Sequence, residues 1–136
     1  MKKTRQPNFA SRAFTLLEMS VVLMVLLALI SSGLFVSSKM DEWKLGRAAA
    51  ESLRQVYTAQ RMFLAENPTR LVSTLTSADV IPYLNSGAVA LPTVKSLEKT
   101  QLGILVNVSP PVINAGSGVA YDPSGNNRDS LWDVGE

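Results

Sequence analysis

The sequence predicts an α+β chain with a lollipop outline: a long N-terminal helix, membrane-spanning in its first half, packed against a small C-terminal antiparallel β head. Three observations carry that prediction. Between Met19 and Ser38 there is no charged residue, which matches the roughly 20 apolar positions a spanning helix needs. From Lys39 to Glu66 the helical period continues, but its apolar residues gather on one side. Beyond Pro68 the chain breaks into short segments separated by Pro, Gly, Ser and Asn, the punctuation of strands and turns. The expected organisation is a basic leader over 1–13, a membrane-spanning stretch over 14–38, an amphipathic helix over 39–66 and a head over 67–136.

The leader is basic and the remainder is not. Lys2, Lys3, Arg5 and Arg12 place +4 ahead of Phe14, and removing those four of the 13 basic residues leaves nine against 11 acidic, a net charge of −2. By the positive-inside rule the leader stays cytoplasmic and everything after Lys39 crosses the membrane. The stretch from Met19 to Ser38 is apolar around its whole circumference, which suits lipid rather than a surface-lying helix. One carboxylate, Glu18, stands at its start. A charge at mid-bilayer costs roughly 2.5–3.5 kcal/mol, so such a group has a partner or a function. An ordinary secretory signal cut near Ile30-Ser31-Ser32-Gly33 would leave Glu18 without either.

A basic leader ending in Ala13, followed by Phe14-Thr15-Leu16-Leu17-Glu18 and an apolar helix, resembles the signal of type IV pilins and type II secretion pseudopilins. The resemblance covers residues 12–36, with Ala13 where glycine is usual. It implies that a prepilin peptidase cuts between Ala13 and Phe14 and methylates the Phe14 amine. It implies assembly of a helical filament, with self or other pilin-like subunits and an inner-membrane assembly platform as partners. Membrane lipid would surround the helix before assembly. The expected location is the bacterial inner membrane, single-pass, N-terminus cytoplasmic and head periplasmic, and afterwards a periplasmic or extracellular filament. In that family Glu18 would neutralise the N-terminal amine of a neighbouring subunit inside an apolar bundle, where neither charge is cheap alone. The local alternative is a helix-start carboxylate favoured by the dipole, worth about 0.3–1 kcal/mol.

Along the amphipathic half, Leu45, Ala49, Leu53, Val56, Phe63 and Leu64 share one arc, with Arg47, Arg54 and Arg61 opposite. Trp43 projects with the arginines and reads as an interfacial anchor. The simplest account of the stripe is a solvated face with Arg47–Glu51 and Glu51–Arg54 pairs; nucleic acid is disfavoured because the chain beyond its leader is slightly acidic. Asn67-Pro68 ends the helix, giving a rod from Phe14 to Glu66 about 80 Å long.

In the head, Ser77-Ala78-Asp79 predicts a brief helix stopping near Pro82, with Tyr83-Leu84 closing onto the stem. Leu102 to Val108 is the best strand, and Gly118–Tyr121 and Ser130–Trp132 are shorter ones. Without cysteine, a head of this size needs the stem to complete its core. Asp122-Pro123-Ser124-Gly125 fits a type I turn, extended by left-handed conformations at Asn126 and Asn127. Asp122, Asn126, Asn127, Asp129 and Asp133 also offer oxygens to calcium. The resemblance makes that ion attractive, because major pseudopilins bind it in a C-terminal loop, and this chain matches their pattern as Asp-Pro-x-Gly-Asn. The spacing is not that of an EF-hand, and a turn alone is the simpler reading. No other cofactor is implied.

With neither histidine nor cysteine the chain lacks the commonest general base and any thiolate site. No catalytic constellation appears, and the chain reads as a structural subunit rather than an enzyme. A type II secretion pseudopilus subunit is the first reading and a type IV pilus or competence pilin the alternative. A binding module held by an uncleaved signal anchor is the rival of a different class, and a metal enzyme on the Asp122–Asp133 loop a distant third.

Overall fold

The computed structural model describes residues 15–85 and 87–135. Ala13 and Phe14, the expected processing residues, lie outside them. The chain divides into two compact units, Met1–Ser38 and Lys39–Glu136. One α-helix, α1 (Leu16–Glu66), contributes to both.

In the first unit every described residue is exposed, including Leu17 and Met24 at 74% each. The helix is long and apolar enough to cross a membrane, as the sequence predicted. Its hydroxyls do not compromise that surface. Ser20 and Ser38 donate to the carbonyls of Leu17 and Phe35, and Ser31 and Ser32 to those of Leu27 and Ala28, at 2.7–2.9 Å. These four hydroxyls are thereby satisfied inside the helix, as hydrocarbon requires.

In the second unit α1 buries Gly46, Ala49, Ala50, Leu53, Val56, Ala59 and Gln60. These positions recur at three- and four-residue intervals and form one stripe. Ala49, Leu53 and Val56 belong to the predicted arc, while Leu45, Phe63 and Leu64 sit at its half-buried margin. The head supplies the facing residues: Leu75, Val80, Val94, Ile104, Val106, Ile113, Trp132 and Val134. Burying each aliphatic side chain of this kind contributes about 1.5–3 kcal/mol. One core is thus made jointly by helix and head, as the size of the head demanded.

Asn67 ends α1, its amide and Nδ2 both donating to the Phe63 carbonyl at 2.9 and 3.0 Å. Helix α2 (Ser77–Val80) follows. It is braced by Asp79, whose Oδ2 accepts from the Thr76 amide and hydroxyl at 2.9 and 2.7 Å. Those two bonds, with Arg70 beside them, hold the Asp79 carboxyl below its usual range. A 3₁₀ turn (Ile81–Tyr83) then brings Tyr83 edge-on to Phe63, ring centroids 5.8 Å apart, and its hydroxyl donates to Glu66. Tyr83 does close onto the helix, as expected.

The strands are shorter than the sequence suggested. β1 (Val94–Lys95) pairs antiparallel with β2 (Gln101–Leu102), Val94 facing Leu102. β3 (Ile104–Leu105) pairs antiparallel with β4 (Val112–Ile113), Ile104 facing Ile113. The expected strand over Leu102–Val108 is therefore divided between two small sheets at Gly103. It ends early because a side chain takes its later carbonyls: Gln60 Nε2 donates to both Val106 O and Val108 O at 2.8 Å. The expected strand at Gly118–Tyr121 is reduced to a single bridge between Asn114 and Ala120.

Gly46 is the tightest point of the helix stripe. A Cβ there would lie 2.8 Å from Trp132 Nε1 and 3.3 Å from Leu131 Cβ. Alanine gains about 1 kcal/mol in helix propensity, but forcing a methyl into this contact costs about 1–3 kcal/mol. We expect Gly46→Ala to lower the urea-unfolding free energy, while Gly33→Ala, with nothing within 4 Å, does not. Gln60→Leu leaves the buried Val106 carbonyl unpaired and frees the part-buried Val108 carbonyl, and should lower the same quantity by about 1–3 kcal/mol.

Candidate functional site

The sequence pointed to two places, the start of the helix and the acidic C-terminal loop. At the first, Thr15 precedes α1 and its Oγ1 accepts a hydrogen bond from the Glu18 amide at 3.2 Å. Glu18 itself stands exposed in the first turn. This is one half of a capping box, and Thr15-Leu16-Leu17-Glu18 carries its sequence signature. Thr15 gives the helix start a local account that does not need a neighbouring subunit.

The loop is built from a chain of Asx turns. Asp122 Oδ1 accepts from the amide and hydroxyl of Ser124 at 3.0 and 2.7 Å. The Gly125 amide reaches Asp122 O at 3.4 Å, closing the predicted turn with Gly125 at φ +69°. Asn126 Oδ1 accepts from the Arg128 amide at 3.3 Å and Asp129 Oδ1 from the Leu131 amide at 2.9 Å. The left-handed residues expected at Asn126 and Asn127 are found instead at Ser130 (φ 60°) and Trp132 (φ 67°).

That displacement has a cause. Left-handed backbone excludes the strand expected over Ser130–Trp132 and turns Trp132 toward α1. Its amide donates to Gly46 O at 3.1 Å and its indole lies against Gly46. Arg54 Nε secures the next stretch by donating to Val134 O at 3.0 Å. Gly135, at φ +75°, has no room for a side chain, since a Cβ would lie 2.1 Å from Ser130 Oγ.

Along the arginine stripe Arg47 and Arg61 are exposed, as a solvated face requires, and Arg54 is half-buried. Arg47 lies over the half-exposed Trp43 ring at 5.5 Å, Arg54 is committed to Val134, and Arg61 Nη1 donates to Tyr57 Oη at 3.2 Å. The expected Arg47–Glu51 and Glu51–Arg54 pairs give way to these contacts. Ion pairs form instead at Lys39–Glu42 (2.8 Å) and Asp41–Lys44 (3.7 Å).

Asp122, Asn127 and Asp133 come together on a cavity of about 350 Å³, while Asn126 and Asp129 fall outside its lining. Pro110, Pro111, Val112, Tyr121 and Trp132 supply much of the wall. Both carboxylate oxygens of Asp133 expose less than 1 Å² and lack a hydrogen-bond partner. Burial, followed by the charges of Asp129 and Asp122, pushes this carboxyl above its usual range. The Gly135 and Ser130 amides oppose the rise from nearby without reaching hydrogen-bond geometry. Calcium takes six to eight oxygens. Among the described residues no group of three acidic side chains gathers, and one side-chain oxygen each of Asp122, Asn126 and Asp129 accepts from a loop amide.

Comparisons of the chain with protein-family models, curated proteins and solved structures each return no match.

A raised native carboxyl binds its proton more tightly than the unfolded chain does. Asp133 therefore lowers stability as pH rises from the unfolded carboxylate value, about 3.9, through its higher native value, and acidification restores what was lost. We expect Asp133→Asn, melted in the presence of a chelator, to be more stable than the parent at neutral pH. The difference should shrink toward pH 4.

Proposed function

We propose that this protein is a structural subunit of a type II secretion pseudopilus, cut between Ala13 and Phe14 and assembled through its apolar helix into a helical filament. The observation that supports this reading is the first half of α1, which leaves all its apolar side chains uncovered by the rest of the chain. Such a surface suits lipid before assembly and the helices of other copies afterwards. On this reading the lone carboxylate of that surface, Glu18, pairs with the methylated Phe14 amine of a neighbour. The subunit's role is mechanical, with prepilin peptidase and an inner-membrane assembly platform acting on it. A type IV pilus or competence pilin would use the same residues in the same way.

The first-turn position of Glu18 fits a second reading, a periplasmic binding module on an uncleaved signal anchor, in which the carboxylate answers the helix dipole. Mass spectrometry of the native N-terminus from cell membranes separates the two. The filament reading expects an N-methylated chain beginning at Phe14, and the anchor reading a chain that keeps Lys2 and Lys3 in a strain with active prepilin peptidase. We further expect Glu18→Ala to be processed normally yet to lower filament yield roughly tenfold or more. Undiminished filaments from that variant would remove the charge-pairing role.

A further inference from the structure

We propose that the face of the second unit formed by Trp43, Leu97 and Pro123 is a lipid contact, seated among the headgroups of a phospholipid layer. The inference rests on the reading that the first half of α1 crosses a membrane. It goes beyond that reading by assigning part of the head, and not only the helix, to the lipid surface. Its first support is depth. Lys39 is the first charge after the uncharged run, so in a spanning helix it stands where hydrocarbon gives way to headgroups. Trp43 lies four residues further on, about 6 Å along the axis. The headgroup layer is about 5–8 Å deep on each side, since a bilayer of about 40–45 Å contains about 30 Å of hydrocarbon. Lys39, Glu42 and Trp43 line one pocket together with Leu97, Pro123 and Leu131. The head residues of that pocket therefore share the headgroup depth of the helix residues they meet.

The second support is the way Leu97 is presented. It stands in the turn between β1 and β2, a place that polar residues usually take, and is 38% exposed. The turn is closed by the Ser96 amide on Thr100 O and the Lys99 amide on Ser96 O, both at 2.9 Å. The Leu97 amide donates to Tyr121 Oη at 2.9 Å. These bonds fix the backbone that carries Leu97 to the same pocket as the Trp43 ring, itself 51% exposed. An aliphatic group and an indole at one rim match the composition of a membrane interface. The third support is charge. Lys39 and Glu42 are paired at 2.8 Å with side chains 59% and 45% exposed. Such a pair contributes about 0–1 kcal/mol, so it opens at small cost, offering its ammonium to a phosphate and its carboxylate to the cation of a zwitterionic headgroup. A pocket of about 210 Å³ is smaller than the usual small-molecule site of about 300–1,000 Å³, and Lys39, Trp43, Leu97 and Pro123 are all exposed. That suits a headgroup resting at a surface rather than an enclosed metabolite.

The test exploits the absence of cysteine from the chain. Leu97→Cys, Val25→Cys and Leu71→Cys are each labelled with nitrobenzoxadiazole in the full chain, reconstituted in phosphatidylcholine vesicles. Val25 belongs to the uncharged run, and Leu71 follows the end of α1 at Glu66, which lies about 35 Å along the axis from Trp43; both are exposed. Each reporter is challenged with lipids bearing a nitroxide on the headgroup or on the acyl chain. We expect acyl-chain nitroxide to quench the Val25 reporter, headgroup nitroxide to quench the Leu97 reporter, and neither to quench the Leu71 reporter. Circular dichroism checks folding, and Pro123→Cys takes the place of Leu97→Cys should that variant misfold. Quenching at Val25 without quenching at Leu97 overturns the lipid face and leaves the span standing. Absence of quenching at Val25 removes the span and this inference with it. Equal headgroup quenching at Leu71 would mean that no particular face of the head meets the lipid. A Leu97 emission shifted to the blue yet insensitive to both nitroxides would mean that protein, such as a second copy, covers the face. Either of these results also overturns the proposal.

Discussion

At Gly46 the helix lacks a side chain, and the Trp132 indole occupies the space one would have filled. Much of the second unit depends on that approach. It brings the Trp132 amide onto the Gly46 carbonyl and sets Tyr121 edge-on to the indole. With Arg54 holding Val134 O, it fixes the last residues of the chain against α1. The two left-handed residues of the segment, Ser130 and Trp132, carry backbone strain that packing must offset. The near-complete burial of the Trp132 side chain is a suitable source of that compensation.

The same unit is economical with hydrogen bonds. Its sheets are two residues per strand, far below the usual five or six, so few backbone groups are satisfied by ladders. Side chains take up part of the need. Gln60, fully buried, serves two carbonyls of the segment after β3 while its own Oε1 has no partner. Asp122, Asn126 and Asp129 serve the loop's amides in the same manner. The Asp133 carboxylate oxygens are enclosed without a hydrogen-bond partner, the Gly135 and Ser130 amides standing nearby but outside bonding geometry.

One helix also works in two environments. Up to Ser38 its apolar residues are exposed in all directions, and Ser20, Ser31, Ser32 and Ser38 bond back to their own turn. From Lys39 charges appear, and from Gly46 the buried residues narrow to a stripe against the head. The backbone conformation is the same in both halves; the distribution of side chains around it changes.

The sequence by itself determined the helix, its end at Asn67-Pro68, the apolar spanning stretch, the arc from Leu45 to Leu64 and the turn at Asp122. All of these rest on local rules, namely period, composition and the restrictions proline imposes, which act over a few residues and so are written in consecutive positions. Only the tertiary structure decided the rest. Gln60 reads as a polar helix residue and becomes buried because carbonyls more than forty positions away turn toward it. The Leu102–Val108 run reads as one strand and is divided because those carbonyls are claimed by the helix. Ser130–Trp132 reads as extended and turns left-handed because a glycine on α1 leaves room for an indole. Asp133 reads as one acid among several and ends up with its carboxylate oxygens enclosed and unpaired, because the fold that places Trp132 also encloses its neighbour. Such contacts join residues distant along the chain, and no local pattern records which distant group will arrive.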